Sequence, residues 1–340
     1  MSPEIACPLE KNGGPMRKIT MLLSVGVALL TLSTFVIEPA TAQTYPSQPV
    51  QMVITLAPGD TLDLTGRAIA TEMAKILNTP VLPINKTGGA GMVGADFVAK
   101  GKKDGYTILY INSNIIYSYA ANPENVPYNP FQDLEPLCLA VSVPLLIAVQ
   151  PESPWKSFQE LVSYMKQNPG KIRGSSTGVG SVGHFGYEVI RTETGTEINM
   201  IPYKGASPGL TALLGGHVEV AIPSFSLVQP QLQAGKVRIL LTSKKIPDYP
   251  QIPTLTQLGY KRDMSSVWFG FFLPVGVPDP VKKVLVSALE KSIQSGELAK
   301  TLQTLGALED YKPAGEFKKM MMEEYDIVKN LFKTAGPPSK

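Results

Sequence analysis

The chain has 340 residues, enough for two domains of ordinary size, and 44% of them are apolar, which excludes a disordered or fibrous protein. Its formal net charge of +3 comes from 31 basic and 28 acidic residues scattered without a basic block. Neither a nucleic-acid surface nor an anionic-membrane surface is indicated.

Arg17 and Lys18 precede an apolar run from Ile19 to Ile37, followed by Ala40-Thr41-Ala42 and Gln43. A charged start, an apolar core and a small-x-small site are the parts of a secretory signal peptide, so residues 1–42 are expected to be removed near Ala42. The run is also long enough to stay uncleaved as a membrane anchor, which is the alternative. Because the charge pair follows Met16, residues 1–15 are expected to lie upstream of the true start. Cys7 would be lost with the leader, leaving Cys138 in "LEPLCLAV" as a buried small hydrophobe that forms no internal disulfide.

Beyond the leader, strand-like and helical runs alternate. "PVQMVITL" reads as a buried strand. In "LDLTGRAIATEMAKIL", Leu62, Ile69, Met73, Ile76 and Leu77 fall on one helical face. "TPVLPIN", "MVGADFVAK" and "YTILYIN" continue the alternation, and βαβαβ predicts a parallel sheet with helices on both faces. "PLCLAVSVPLLIAVQ" is too long for one strand and has Pro144 inside it, the mark of a strand that leaves one lobe and enters the next.

Ser157 caps a helix that stops at Pro169-Gly170. Strands "KIRGSS", "NMIPY", "VEVAIPS" and "VRILLTS" follow, with helices from Gly183 and in "PGLTALLGG". A second extended run, "SVWFGFFLPVG", precedes helices begun by Asp279-Pro280 and Ala314-Gly315-Glu316. Two crossing strands that join two α/β lobes predict a hinged clamshell.

Two motifs suggest chemistry. Gly89, Gly91 and Gly94 in "NKTGGAGMVGADFVAK" fit G-x-G-x-x-G, but the next strand ends in Asn112, Ser113 and Asn114, with no carboxylate to hold a ribose. The glycines are therefore read as a tight strand-to-helix turn and no cofactor is expected. Gly174-Ser175-Ser176-Thr177-Gly178 fits G-x-S-x-G, yet the two histidines are poorly placed: His184 is too close on the following helix and His217 sits in a turn. A hydrolase using Ser176 is the weaker alternative, and no spacing suggests a metal site. What remains are Gly-, Ser-, Thr- and Asn-rich loops at strand ends, where ligands of open sheets sit and helix N-termini favour anions.

"TLAPGDTLDLTGRAIA", "NKTGGAGMVGADFVAK", "KDGYTIL", "VPYNPFQDLEPL", "NPGKIRGSSTGVGSVGH", "IPYKGASPGLTALLGGHVEVAI", "QAGKVRILLTS", "IPTLTQLGY" and "WFGFFLPVGVP" resemble, in order, the successive blocks of the tripartite tricarboxylate transporter receptors, the Bug family of periplasmic solute-binding proteins. The resemblance implies a type II periplasmic-binding (Venus flytrap) fold, each lobe a mostly parallel sheet flanked by helices. The lobes would be residues 43–141 with 266–340, and 142–265. It further implies a monomeric, non-catalytic receptor without cofactor or metal, which hands a small organic acid to membrane transporter subunits. A sensory receptor that signals to a membrane kinase is the alternative of the same fold.

Carried over residue by residue, the implied ligand contacts are Ala57, Gly59, Asp60, Thr61, Asp63, Ser113 and Asn114 from the first lobe. From the second they are Ser175, Thr177, Gly178, Gly180, Ser181, His184, Tyr203, Lys204 and Ser224. Each has a structural alternative: Ser181 as a helix cap, His184 as packing, Lys204 as a surface charge, Asp63 as an i,i+4 partner of Arg67. Two departures bear on specificity. Asp60 stands where the family usually has Gly, and Pro223 where many members have Asp. An acid at an anion site disfavours a polyanion, so a monocarboxylate, an aromatic acid or a zwitterion is expected over a tricarboxylate.

Overall fold

The computed structural model describes residues 45–177, 180–203 and 205–335, with side chains to residue 330. The expected leader and Cys7, together with Gly178 and Lys204, lie outside the described residues.

The first half is built from β1 (Val50–Ile54), α1 (Thr61–Leu77), β2 (Val81–Asn85), α2 (Met92–Ala99), β3 (Thr107–Asn112), α3 (Asn114–Ala121) and β4 (Leu134–Val143). The chain then forms β5 (Leu146–Val149), α4 (Phe158–Gln167), β6 (Arg173–Ser176), α5 (Val182–Thr194), β7 (Asn199–Pro202), α6 (Ala206–Leu214), β8 (Val220–Ala221), α7 (Phe225–Gln233) and β9 (Arg238–Thr242). It returns through β10 (Val267–Pro274), α8 (Asp279–Ile293), α9 (Gly296–Thr304), β11 (Leu308–Pro313) and α10 (Ala314–Ala335).

Two sheets result. The first has six strands in the order β11-β4-β10-β3-β1-β2, the second five in the order β7-β6-β8-β5-β9. Parallel pairing is confined to the βαβ units, β1 with β2 and β3, and β6 with β7 and β8. The crossing strands pair antiparallel: β10 with β3 and β4, and β5 with β8 and β9. Both sheets are therefore mixed rather than mostly parallel. A parallel neighbour needs a crossover connection within its own sheet, and strands that arrive from the other sheet carry no such constraint.

The break at Pro144 divides the long apolar run into β4 and β5, one in each sheet. Proline has no N–H to continue a ladder, and its carbonyl instead accepts from Phe225 N at 2.8 Å. The return strand β10 pairs with β4 from Val267↔Val143 to Pro274↔Leu134, so the two crossings run side by side in the first sheet. Ser243 fastens them: its N–H donates to Leu145 O at 2.8 Å, and its hydroxyl lies 2.7 Å from that of Ser266.

α1 lies on the first sheet through Leu62, Ile69 and Met73, all fully buried, which at about 2 kcal/mol each is its main attachment. Ile76, expected on the same face, is 40% exposed. Gly66 takes the closest approach: a Cβ there would meet Ile54 and Tyr110 at 2.9 Å. Cys138 is a free, buried thiol whose pKa burial pushes up.

The glycines of the G-x-G-x-x-G stretch have structural reasons. Gly91 adopts φ +101°, and a Cβ on Gly94 would meet Lys86 O at 2.8 Å and Thr55 Cγ2 at 2.9 Å. Four elements are absent from the sequence reading. α3 has Ile115, Ile116 and Tyr117 after its first residue, Asn114, and these read as strand residues. α7 contains Pro230, a poor helix-interior residue. α9 is short, burying only Leu298 and Leu302, and β11 is weakly patterned.

Candidate functional site

A cavity of about 290 Å³ lies between the two sheets' loops. Its apolar floor is made by the crossing strands: Val143 and Leu145 from the first, Val267 and Phe269 from the second. Side chains alternate along a strand, so Trp268, between Val267 and Phe269, lines a separate cavity with Ser142 on the other face.

Five helices begin at the polar walls among the described residues. From the first half come Asp60 and Thr61 at the start of α1 and Asn114 at the start of α3. From the second half come Ser181, Val182 and Gly183 at α5, Ala206 at α6, and Ser224 and Ser226 at α7. The first turn of a helix has N–H groups without intrahelical acceptors and a positive end of roughly half a charge, so their convergence favours an anionic group.

Side chains modify each start. Asp60 Oδ1 accepts from Leu62 N at 2.9 Å and caps α1. Desolvation in the cavity wall raises its pKa; the Leu62 hydrogen bond opposes this and the nearby Asp63 adds to it. Ser181 caps α5 by accepting from His184 N at 3.1 Å, and its hydroxyl is also 3.1 Å from that of Ser176. Ser176 and Ser181 thus share a hydroxyl contact at the start of α5. Thr61 Oγ1 donates to Ser226 Oγ at 3.2 Å, and Ser226 Oγ is 3.1 Å from Ser224 Oγ, a hydroxyl chain that joins the halves.

Of the residues expected from the sequence, Asp60, Thr61, Asn114, Thr177, Ser181 and Ser224 line this cavity. Others lie behind it. Asp63 is 2% exposed; burial would raise its pKa, but Arg67 Nε (2.9 Å), Asn85 Nδ2 (2.8 Å) and Gly59 N (2.9 Å) donate to it and hold it below the usual range. It is an anchor for the loop before α1, paired with Arg67. Ala57 and Gly59 belong to that loop, where Ala57 O accepts from Asp60 N at 3.2 Å.

Ser113 is fully buried, with its N–H on Trp268 O at 2.9 Å. Ser175 is 3% exposed, its hydroxyl packed toward Gly209 and its carbonyl accepting from Tyr187 OH at 2.8 Å. Tyr203 N donates to Ser176 O at 2.9 Å, tying β7's end to β6. His184 Nδ1 accepts from Gly180 N at 3.2 Å, which places the imidazole proton on Nε2; burial lowers its pKa and Glu188 partly opposes this. His184 is then neutral at pH 7.

Asn112 and Ser226 fall in the polar strand-end loops without having been singled out as contacts, and sequence reasoning missed Leu56, Ile222 and the whole apolar floor. The floor has a sequence signal, because strands that cross between lobes must pass beneath the cleft.

The family described as "Tripartite tricarboxylate transporter family receptor" matches residues 65–336. Protein BugT of Bordetella pertussis is 30% identical over 295 residues, which cover 86% of this chain and 90% of BugT. Among solved structures, R. palustris Rpa4515 with adipate is 28% identical with a TM-score of 0.71, covering 86% of this chain and 99% of that one. MatC from Rhodopseudomonas palustris with bound malate is 26% identical with a TM-score of 0.67, covering 84% and 100%.

Proposed function

The chain belongs to the tripartite tricarboxylate transporter receptor family, and from that premise we propose that it is an exported receptor that captures a small carboxylate between its halves and delivers it to a membrane transporter. One observation carries the reading: helix starts and hydroxyls from both sheets converge on a single cavity floored by the two crossing strands. A carboxylate held there would take hydrogen bonds from both walls at once. Binding would draw the halves together, exclude water and strengthen each bond. The relatives solved with adipate and malate support a carboxylate as the bound group. The cavity is at the small end of ligand pockets (~300–1,000 Å³), as suits a metabolite.

In this reading the side chains of Asn114, Thr177, Ser181 and Ser224 are donors to the ligand, Thr61 offers its first-turn N–H because its hydroxyl donates to Ser226, Ser226 joins them, and the chain binds without converting. The halves are expected to divide near residues 142 and 266, with β4 running on to Val143 in the first sheet. The protein works as a monomer in the periplasm after cleavage near Ala42. No helix among the described residues is long and apolar enough to cross a membrane.

Titration calorimetry of the mature chain with short-chain carboxylic acids tests the proposal. One site per chain is expected. Replacing one donor in the second-half wall by Thr177→Val and another by Ser224→Ala removes hydrogen bonds worth about 2 kcal/mol together, so affinity should fall at least tenfold. Unchanged affinity in the double variant would move the site elsewhere.

A further inference from the structure

We propose that this receptor selects a zwitterion, an acid with one carboxylate and, across an apolar spacer, one ammonium group, and that Asp60 makes the selection. The inference rests on the receptor reading above and gives it a ligand class and an orientation.

The cavity walls are electrostatically unequal. Asp60 is the one ionisable side chain among the described residues that line the cavity; the other polar groups there are hydroxyls and amides. It sits at the start of α1, with Oδ1 on Leu62 N, so that helix start already holds a carboxylate. On the opposite wall, α5, α6 and α7 carry no acidic residue in their first turns. A ligand carboxylate therefore goes to the second-half wall, where N–H groups and the Ser181 and Ser224 hydroxyls lack a competing anion. A second carboxylate at the other end would face Asp60, and like charges at contact distance in a partly desolvated site repel strongly. An ammonium there gains a charge-assisted hydrogen bond instead. Between the walls, Val143, Leu145, Val267 and Phe269 offer nothing polar to the middle of the ligand, which sets an aliphatic or ring spacer.

The test uses matched pairs that differ only at one end: 6-aminohexanoate against adipate, and 4-aminobutyrate against succinate, titrated into the mature wild-type chain and into Asp60→Asn. Asparagine is as good an N-cap as aspartate, so the variant keeps the acceptor for Leu62 N–H and loses only the charge. A second cap-competent variant, Asp60→Ser, guards against a defect peculiar to asparagine. The expected result is tenfold or greater preference of the wild type for the amino acid in at least one pair, with the preference erased or inverted in both variants. A wild type that binds the diacid as tightly as its amino partner overturns the inference and leaves the receptor reading standing, as does a preference that both variants retain. Absence of binding across all four compounds in every protein also overturns the inference, and the receptor reading falls with it only if no other carboxylic acid binds the wild type.

Discussion

The hydroxyl of Thr61, at the start of α1, donates to the hydroxyl of Ser226 in α7 at 3.2 Å, and so fastens the first half of the molecule to the second along the wall of the cavity. Behind this contact Gly306 packs on the same residue: with φ +65°, a Cβ at Gly306 would lie 2.7 Å from Ser226 Cα. The two halves are held at a distance that allows direct side-chain contact across the site.

Closure should therefore respond to both residues. Ser226→Ala removes one bridging hydrogen bond, about 1 kcal/mol, and should weaken ligand binding roughly fivefold. Gly306→Val cannot fit against backbone without separating the halves, and it also strains a left-handed residue. Small-angle scattering should show a larger radius of gyration for the Gly306 variant than for wild type, with or without ligand. Equal radii would mean that this contact does not set the closed spacing.

Asp63 predicts an acid-sensitive anchor. Its pKa is held below the ordinary 3.8 because three donors outweigh the effect of burial. A carboxylate with a depressed folded pKa contributes stability above its unfolded pKa and loses it as pH falls through the folded value. Asp63→Asn should cost about 2 kcal/mol at pH 7, since one donor is left facing an amide. The gap between wild type and variant should shrink below about pH 4. Urea unfolding at pH 7 and pH 3.5 measures this, and a gap independent of pH would contradict it.

Glu324 should show the opposite sign. It lies 9% exposed between α3 and β10, where Tyr117 OH and Trp268 Nε1 donate to its two oxygens at 2.6 Å each. Burial raises its pKa and these hydrogen bonds only partly offset that. With a folded pKa above the unfolded 4.5, its favourable contribution is complete below pH 4.5 and is lost as pH rises through the folded value. Glu324→Gln carries no such dependence. The midpoint of the variant relative to wild type should therefore improve between pH 4.5 and pH 8, and a worsening would refute the burial argument.

Ser113 makes a plainer case. Its hydroxyl is buried with no hydrogen-bond partner among the described residues. Removing an unsatisfied buried hydroxyl costs nothing in hydrogen bonding and relieves desolvation. Ser113→Ala should leave the thermal midpoint unchanged or raise it; a fall of several degrees would show a partner at that hydroxyl.

Much of this was legible in the sequence for local reasons. Pro144 inside an apolar run marks the crossing strand because proline cannot serve a central ladder, and the polar loops at strand ends mark the cavity walls because helices begin there. What was not legible depends on packing between distant residues. Ser175 has the same hydroxyl as the cavity donors and Asp63 the same carboxylate as Asp60, yet Ser175 packs toward Gly209 and Asp63 accepts from Asn85, so both face inward. Val267 and Phe269 read as ordinary core; only the pairing of β10 with β4 makes them the floor of a site. Asp60 was legible as an unusual acid, but its place as the cap of α1 required the geometry of Leu62.

The central claim is that this cavity holds a small carboxylate in the folded protein, and thermal unfolding of the chain from Gln43 onward tests it most directly. The protein would be unfolded and refolded to strip any carried ligand, then melted against mono-, di- and tricarboxylates, aromatic acids and amino acids. A ligand that binds only the folded state adds roughly 2.7 kcal/mol at a hundredfold excess over its dissociation constant, which moves the midpoint by several degrees. One class of carboxylate should produce that shift, and the Thr177→Val, Ser224→Ala double variant should lose most of it. No shift with any acid, or an equal shift in the variant, would contradict a receptor built on this cavity.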